Sequence, residues 1–270
     1  MGRGMVATAV VALGVLVGAL PAAGITFGQA DGTLHPSTGA LVADWDPESP
    51  GPDQLCTGTL ISPTVFLTAG HCTDFLESEG IHQVWVTFAP AYDDDAGNPG
   101  GLIAGTYTTD PQYGYSGQGG SSDPHDLAVV VFAAPVAGIA PAQLPALDLL
   151  AAMKSALREQ TFTAVGYGLV REQKTKGPNA LFYDGVRRYA LQTFSSLQPA
   201  WLTLSMNPST GDGGTCYGDS GGPHFLGGAT SNLLVAITVT GDSPCRATDK
   251  TYRLDTASAR AFIGNYVTLP

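Results

Sequence analysis

The sequence predicts an all-β protein, a sandwich or a barrel, and three observations carry that expectation. Charged residues make up only 13% of the 270 positions, while glycine (35) and proline (19) are plentiful. That mix suits many short strands and tight turns better than a helix bundle. Short runs of β-branched and aromatic residues recur along the chain, each bounded by turn residues. No internal repeat and no long low-complexity tract interrupts the pattern, and the length allows one large domain or two small ones.

The chain begins with a targeting pattern. Arg3 lies in a short leading region, Val6 to Leu20 carries no charge, and Pro21 precedes Ala22-Ala23-Gly24. The apolar stretch is short for a bilayer span, and small residues at Ala22 and Gly24 suit the recognition positions of a signal-peptide cut. Residues 1–24 are therefore expected to be a signal peptide that is removed, leaving Ile25 as the new N-terminus; an uncleaved anchor is the rival reading. No second apolar run resembles a span, so the mature protein is expected to be soluble and secreted.

Between Gly39 and Val131, Thr57–Ile61, Val65–Thr68 and Val84–Phe88 read as strands. Ala91 to Gly101 reads as a surface loop. Its Asp93-Asp94-Asp95 could suggest calcium, but the spacing is not that of an EF-hand and a solvated loop is the simpler reading. Pro135 to Pro145 reads as a crossing linker, and Leu149 to Leu157 as a helical turn or two. A second set of strands follows at Phe162–Val165, Arg187–Thr193, Trp201–Ser205, Leu233–Thr240 and Tyr252–Leu254. Asp255-Thr256 is placed to cap a final helix over Ala257–Tyr266.

The formal net charge is −11, and loss of Arg3 with the signal makes the mature chain more acidic still. Nucleic acid is therefore a poor partner.

Three short motifs carry chemistry. Gly218-Asp219-Ser220-Gly221-Gly222-Pro223 sets a serine on a glycine-rich turn, where its hydroxyl can be exposed and backbone N–H groups can face a developing oxyanion. Thr68-Ala69-Gly70-His71-Cys72 places a histidine after an apolar, β-branched run. His125-Asp126-Leu127-Ala128-Val129 places an aspartate at the mouth of another. Each alone has a plain reading as a turn, a packed core histidine or a strand-end acid. Asp123 competes with Asp126, but it precedes Pro124 and looks like turn chemistry. His82 and His224 read as structural. A zinc site is the rival use of cysteine and histidine, and no C-x-x-C pair supports it.

The order His71, Asp126, Ser220 resembles the chymotrypsin-like serine peptidases and differs from that of subtilisins or α/β-hydrolases. The resemblance runs from Ile25 to the C-terminus and implies two six-stranded antiparallel β-barrels with a short C-terminal helix. The expected boundaries are a first barrel over residues 25–140, a linker over 141–158, a second barrel over 159–254 and the helix over 255–270. It implies Ser220 as nucleophile, His71 as general base and acid, and Asp126 as the group that orients the imidazole. The N–H groups of Gly218 and Ser220 would form the oxyanion hole. Four cysteines allow three pairings; the resemblance selects Cys56 with Cys72 and Cys216 with Cys245.

The resemblance also implies that Asp219 pairs with the amine freed at Ile25, so that export itself would complete the site. Gly214 would floor the primary pocket where an acid selects arginine or lysine, which disfavours that specificity unless Asp212 or Asp249 substitutes from a neighbouring wall. Val239-Thr240-Gly241 would pair with substrate backbone, departing from the family's usual Ser-Trp-Gly. Lys250 falls near a pocket-lining position, where it could attract an acidic side chain or simply face solvent. A neutral, apolar or small residue is expected at the cleaved position. The expected function is a secreted, monomeric endopeptidase acting on peptide or protein, with no cofactor and no metal. An esterase-like hydrolase and a non-catalytic peptide-binding protein on the same scaffold are the alternatives.

Overall fold

β-Branched and aromatic runs form strands wherever one or both faces can be buried. The computed structural model describes residues 25–49, 51–92, 101–114, 122–171, 173 and 180–270. The expected signal segment and the Asp93–Asp95 loop lie outside the described residues.

After a two-residue strand β1 (Gln29–Ala30), six strands close on one another: β2 (Thr38–Ala43), β3 (Asp53–Ser62), β4 (Val65–Thr68), β5 (Val84–Thr87), β6 (Ile103–Thr109) and β7 (Ala128–Phe132). Their order around the barrel is β2-β3-β4-β7-β6-β5, all antiparallel. β2 is buried on both faces: Leu41 points into the main core, while Ala40 and Val42 pack against Tyr92 and Tyr167. Helix α1 (Gly70–Ser78) leaves β4 and was not legible in the sequence. Its N-cap is Ala69, which offers no capping side chain, so the usual start signal is missing.

The segment corresponding to the expected linker carries no strand. Helix α2 (Leu149–Met153) and a 3-10 turn over Lys154–Glu159 then lead into the second ring. Its strands are β8 (Thr161–Gly166), β11 (Arg188–Leu197), β12 (Trp201–Ser205), β13 (Pro223–Leu226), β14 (Leu234–Gly241) and β15 (Thr248–Arg253), with the short pair β9 (Val170–Arg171) and β10 (Leu181–Phe182) outside it. The order β11-β12-β15-β14-β13-β8 closes through the β11–β8 pairing, and β1 adds to β11. Helix α3 (Ala257–Ile263) ends the fold, and Thr256 accepts the Ala259 N–H at 3.2 Å as its cap.

Two features lock the barrels together. One apolar core contains Leu60, Phe66 and Val130 of the first barrel and Phe225, Ile237 and Tyr252 of the second. The other is a buried ion pair, Arg187 Nε donating to Asp31 at 2.8 Å, with the guanidinium also donating to the carbonyls of Gly32, Thr38 and Phe88. His35 pairs with the same carboxylate and stacks on Phe225 at 5.1 Å. Burial pushes the Asp31 carboxyl up, but His35 and Arg187 outweigh it and hold its pKa below the usual value. Removing one partner of such a buried pair costs about 3–5 kcal/mol.

Candidate active site

The histidine of the second motif sits in the first turn of α1, where backbone N–H groups lack helical partners. Asp126 supplies one: its Oδ1 accepts the His71 N–H at 2.8 Å, and its Oδ2 accepts from His71 Nδ1 at 2.9 Å. One carboxylate thus caps the helix and orients the ring, which explains a helix start with no capping residue of its own. Asp126 is fully buried, while the His71 ring remains about a quarter exposed. A Cβ on Gly70 would stand only 3.0 Å from the Leu127 backbone, so glycine permits this approach. The Cys56–Cys72 disulfide ties the same turn to β3.

The serine loop is held by the other barrel. Thr57 N–H donates to the Ser220 carbonyl at 2.9 Å, and Thr57 Oγ1 and Gln54 Nε2 donate to the Gly218 carbonyl at 3.0 and 2.7 Å. Gly221, at φ +78°, presses on Thr68 and Ala69, just before His71; a Cβ there would meet Thr68 Oγ1 at 2.3 Å and Ala69 N at 2.5 Å. The loop's N–H groups divide in two. Those of Asp219, Gly221 and Gly222 donate to Cys216, Thr238 and Asp219 carbonyls, while among the described residues those of Gly218 and Ser220 have no acceptor. Ser220 Oγ makes no hydrogen bond to the His71 ring.

Asp219 is wholly buried and accepts from Gly168 N at 2.8 Å and Cys216 N at 2.8 Å. Burial raises its pKa to about 7; the two N–H donors pull it down, and Asp249 adds to the rise. Ile25 is buried against Ala164 and Ala190, at a backbone φ of +32°, and Thr26 bridges to Gly214. In the full-length chain Ile25 carries a peptide nitrogen, so the expected ion pair with Asp219 has no amine to form it.

A cleft of about 720 Å³ opens beside Ser220, lined among others by Thr215, Thr238, Val239, Thr240, Gly241 and Lys250. Every lining residue belongs to the second barrel, so the space expected between the barrels is walled from one side. The Cys216–Cys245 disulfide forms part of the wall. Gly214, expected at the floor, does not line it: Gly214 is buried, and a Cβ there would strike Met206 and Gln192. Thr215 takes the lining position instead. Asp212 accepts from Thr193 and Thr210, and Asp249 from Gln192; neither lines the cleft.

β14 pairs with β13 only as far as Ile237, and Thr238 exchanges bonds with Gly221 and Gly222. Val239-Thr240-Gly241 beyond it is an open strand edge next to Ser220. His224 is buried behind this wall, its Nε2 at 3.0 Å from Thr238 Oγ1, and burial holds its pKa below the ordinary value despite Asp249. His82, by contrast, is an exposed surface residue.

Asp123 does more than shape a turn. It accepts the His125 N–H at 3.3 Å, as turn chemistry requires, but it also accepts Tyr252 OH and Ser258 Oγ, each at 2.6 Å. This ties the Asp126 loop to β15 and α3 of the other barrel. A single sequence holds no signal for that reach of 129 and 135 residues.

The sequence matches the family model for Trypsin over residues 38–262, most of the chain. The chain belongs to the trypsin family of serine-type endopeptidases. A solved structure of HL collagenase shares the architecture, with a TM-score of 0.60 at 17% identity, covering 87% of this chain and 95% of that one. At that identity the likeness speaks for the fold alone. Trypsin-family membership and the two closed antiparallel barrels agree with the expectations drawn from TAGHC, DLAVV and GDSGGP. Among the described residues no helix is long and apolar enough to cross a membrane.

Proposed function

We propose that this chain is a secreted endopeptidase that cleaves peptide bonds through an acyl-enzyme, with Ser220 as nucleophile, His71 as proton carrier and Asp126 as the group that orients it. The observation that carries the reading is the pair of bonds from His71 to Asp126 beside a serine loop whose Gly218 and Ser220 N–H groups are uncommitted. Ser220 Oγ attacks the scissile carbonyl while His71 Nε2 takes its proton; the proton then goes to the departing amine. Water repeats the sequence to release the acyl group. The two free N–H groups receive the oxyanion, each contributing on the order of 3 kcal/mol in the transition state. The bond from Ser220 to His71 closes when substrate excludes water from the site. The open edge Val239–Gly241 takes the substrate as an added strand.

Export completes the site in this reading. Cutting after Gly24 frees the Ile25 amine, whose charge stabilises the Asp219 carboxylate and orders the loop. Pairing raises the amine's folded-state pKa, so activity is present below that value and lost as pH rises through it. Two disulfides suit an oxidising compartment.

The missing bond between Ser220 and His71 favours a second reading, a peptide-binding protein on the same scaffold. Incubation of the secreted chain with an unstructured protein decides between them. New internal termini, absent with Ser220→Ala, support hydrolysis; binding with no new termini from either form supports the second reading.

A further inference from the structure

The cleft beside Ser220 holds a positive charge, Lys250, that makes no ion pair with any described residue. Lys250 lies opposite Thr240 in the β14–β15 register, so both side chains leave the same face. Alternation sends the neighbouring Asp249 to the other face, where it is buried and takes the Gln192 amide. The half-buried Lys250 Nζ rests 4.2 Å from the centroid of the Trp201 ring, which steers the ammonium instead of leaving it loose in solvent. Among the described residues Lys250 has no ion-pair partner. Asp242 is the other charged residue of the lining, and its carboxylate is engaged by the N–H groups of Arg246, Ala247 and Thr248 at 3.0, 2.8 and 2.6 Å. The remaining polar lining is largely hydroxyl, from Thr215, Thr238, Thr240, Ser243 and Thr248. Such groups donate to a carboxylate but cannot neutralise a cationic guest.

We propose that Lys250 is the specificity-determining residue of this cleft and that it selects extended peptides carrying an aspartate or glutamate side chain seated against it. The inference rests on the reading of the cleft as the substrate site. Asp212 and Asp249, two of the acids that could have drawn a basic side chain, are buried, hydrogen-bonded within the second barrel and not part of the lining. Asp242, the one acid of the lining, has its oxygens taken by three backbone N–H groups, so the Lys250 ammonium, with no ion-pair partner among the described residues, is the lining charge left to pair with a guest's side chain.

The test uses binding, so that it stands apart from turnover. A neutral fluorescent decapeptide is scanned with glutamate, glutamine or lysine at each position. Its Kd is measured against the Ser220→Ala protein, with and without Lys250→Gln or Lys250→Arg. At one position glutamate should bind about fivefold tighter than glutamine, the scale of one partly screened ion pair. The contrast should vanish with Lys250→Gln and survive Lys250→Arg. Equal binding of glutamate and glutamine at every position, a preference that persists in Lys250→Gln, or tightest binding by lysine would each overturn the proposal. Cleavage of the same peptides by the unmodified chain tests the hydrolytic reading separately. Acid-selective binding without cleavage would remove that reading and keep the role of Lys250; cleavage without acid selectivity would do the reverse.

Discussion

Tyr252, on the second barrel, donates its hydroxyl to Asp123, three residues before Asp126 on the first, at 2.6 Å. Burial, then Asp123, raise the phenol's pKa far above its usual value, so it stays a donor throughout the working range. Burial pushes the Asp123 carboxyl up as well, but the bonds from Ser258, Tyr252 and His125 prevail and hold it below the usual carboxylate value. The loop that aims Asp126 at His71 is thus tied to the barrel that carries Ser220.

Tyr252→Phe removes that tie without changing the ring. The expected cost is about 1.5–3 kcal/mol of stability, the range for a bond to a charged group. It should come with a fall in kcat larger than any rise in KM, because the loop carries Asp126 and contributes no residue to the cleft lining. Because the Asp123 pKa is depressed, its stabilisation is present above the unfolded value near 4 and lost as pH falls through the folded one. Thermal melts of both proteins between pH 2 and 6 check this: their difference should shrink at the acid end.

Asp126→Asn separates the two bonds of one side chain. The amide oxygen still caps the His71 N–H, so the melting temperature should move little. The amide nitrogen then faces the ring and favours the wrong tautomer. The expected fall in kcat is about 10⁴-fold, the scale of a triad whose histidine is held in the wrong tautomer with its geometry intact. Equal losses in folding and activity would mean that Asp126 acts only as a cap.

The buried Asp219 makes the full-length chain pH-sensitive in an unusual direction. Its folded pKa of about 7 lies above the unfolded value near 4, so the folded form holds the proton more tightly. Stability should therefore fall as pH rises from about 4 to 7 and level off above. Relative to Asp219→Asn, the full-length protein should lose melting temperature across that window. A chain beginning at Ile25 should lose none, because its amine favours the charged carboxylate. Parallel curves for all three proteins would contradict the pairing.

Gly221→Ala attacks the contact between barrels. The left-handed φ alone costs about 1–2 kcal/mol, and the methyl would also drive into Thr68 and Ala69. Ser220 should remain in the chain but lose its reactivity, with a lowered melting temperature. A variant as active as the parent would show that the loop need not press on the His71 segment.

Much of this was legible in the residues. Val65–Thr68, Trp201–Ser205 and the run after Asp126 declare their strands because β-branched side chains fit a half-buried pleat. Thr256 was a visible cap, although Asp255 beside it serves another purpose, accepting from Arg253 and the Leu150 N–H. His71, Asp126 and Ser220 stood out because each sits in a local pattern that needs no knowledge of the fold. What was hidden depends on distant partners. α1 starts on a cap supplied 55 residues later by Asp126. Asp123 looked like a turn residue because its other donors arrive from the far end of the chain. Gly214 looked like a pocket floor, yet its backbone is committed to Thr26 and its missing side chain makes room for Met206 and Gln192.

The proposed chemistry stands or falls on Ser220 being an activated nucleophile. The most direct measurement is the intact mass of the secreted protein after treatment with a phosphonylating reagent for activated serines. The predicted result is a chain beginning at Ile25 that carries one adduct, mapped to Ser220 and absent from both Ser220→Ala and His71→Ala. A chain beginning at Ile25 that takes no adduct would contradict it.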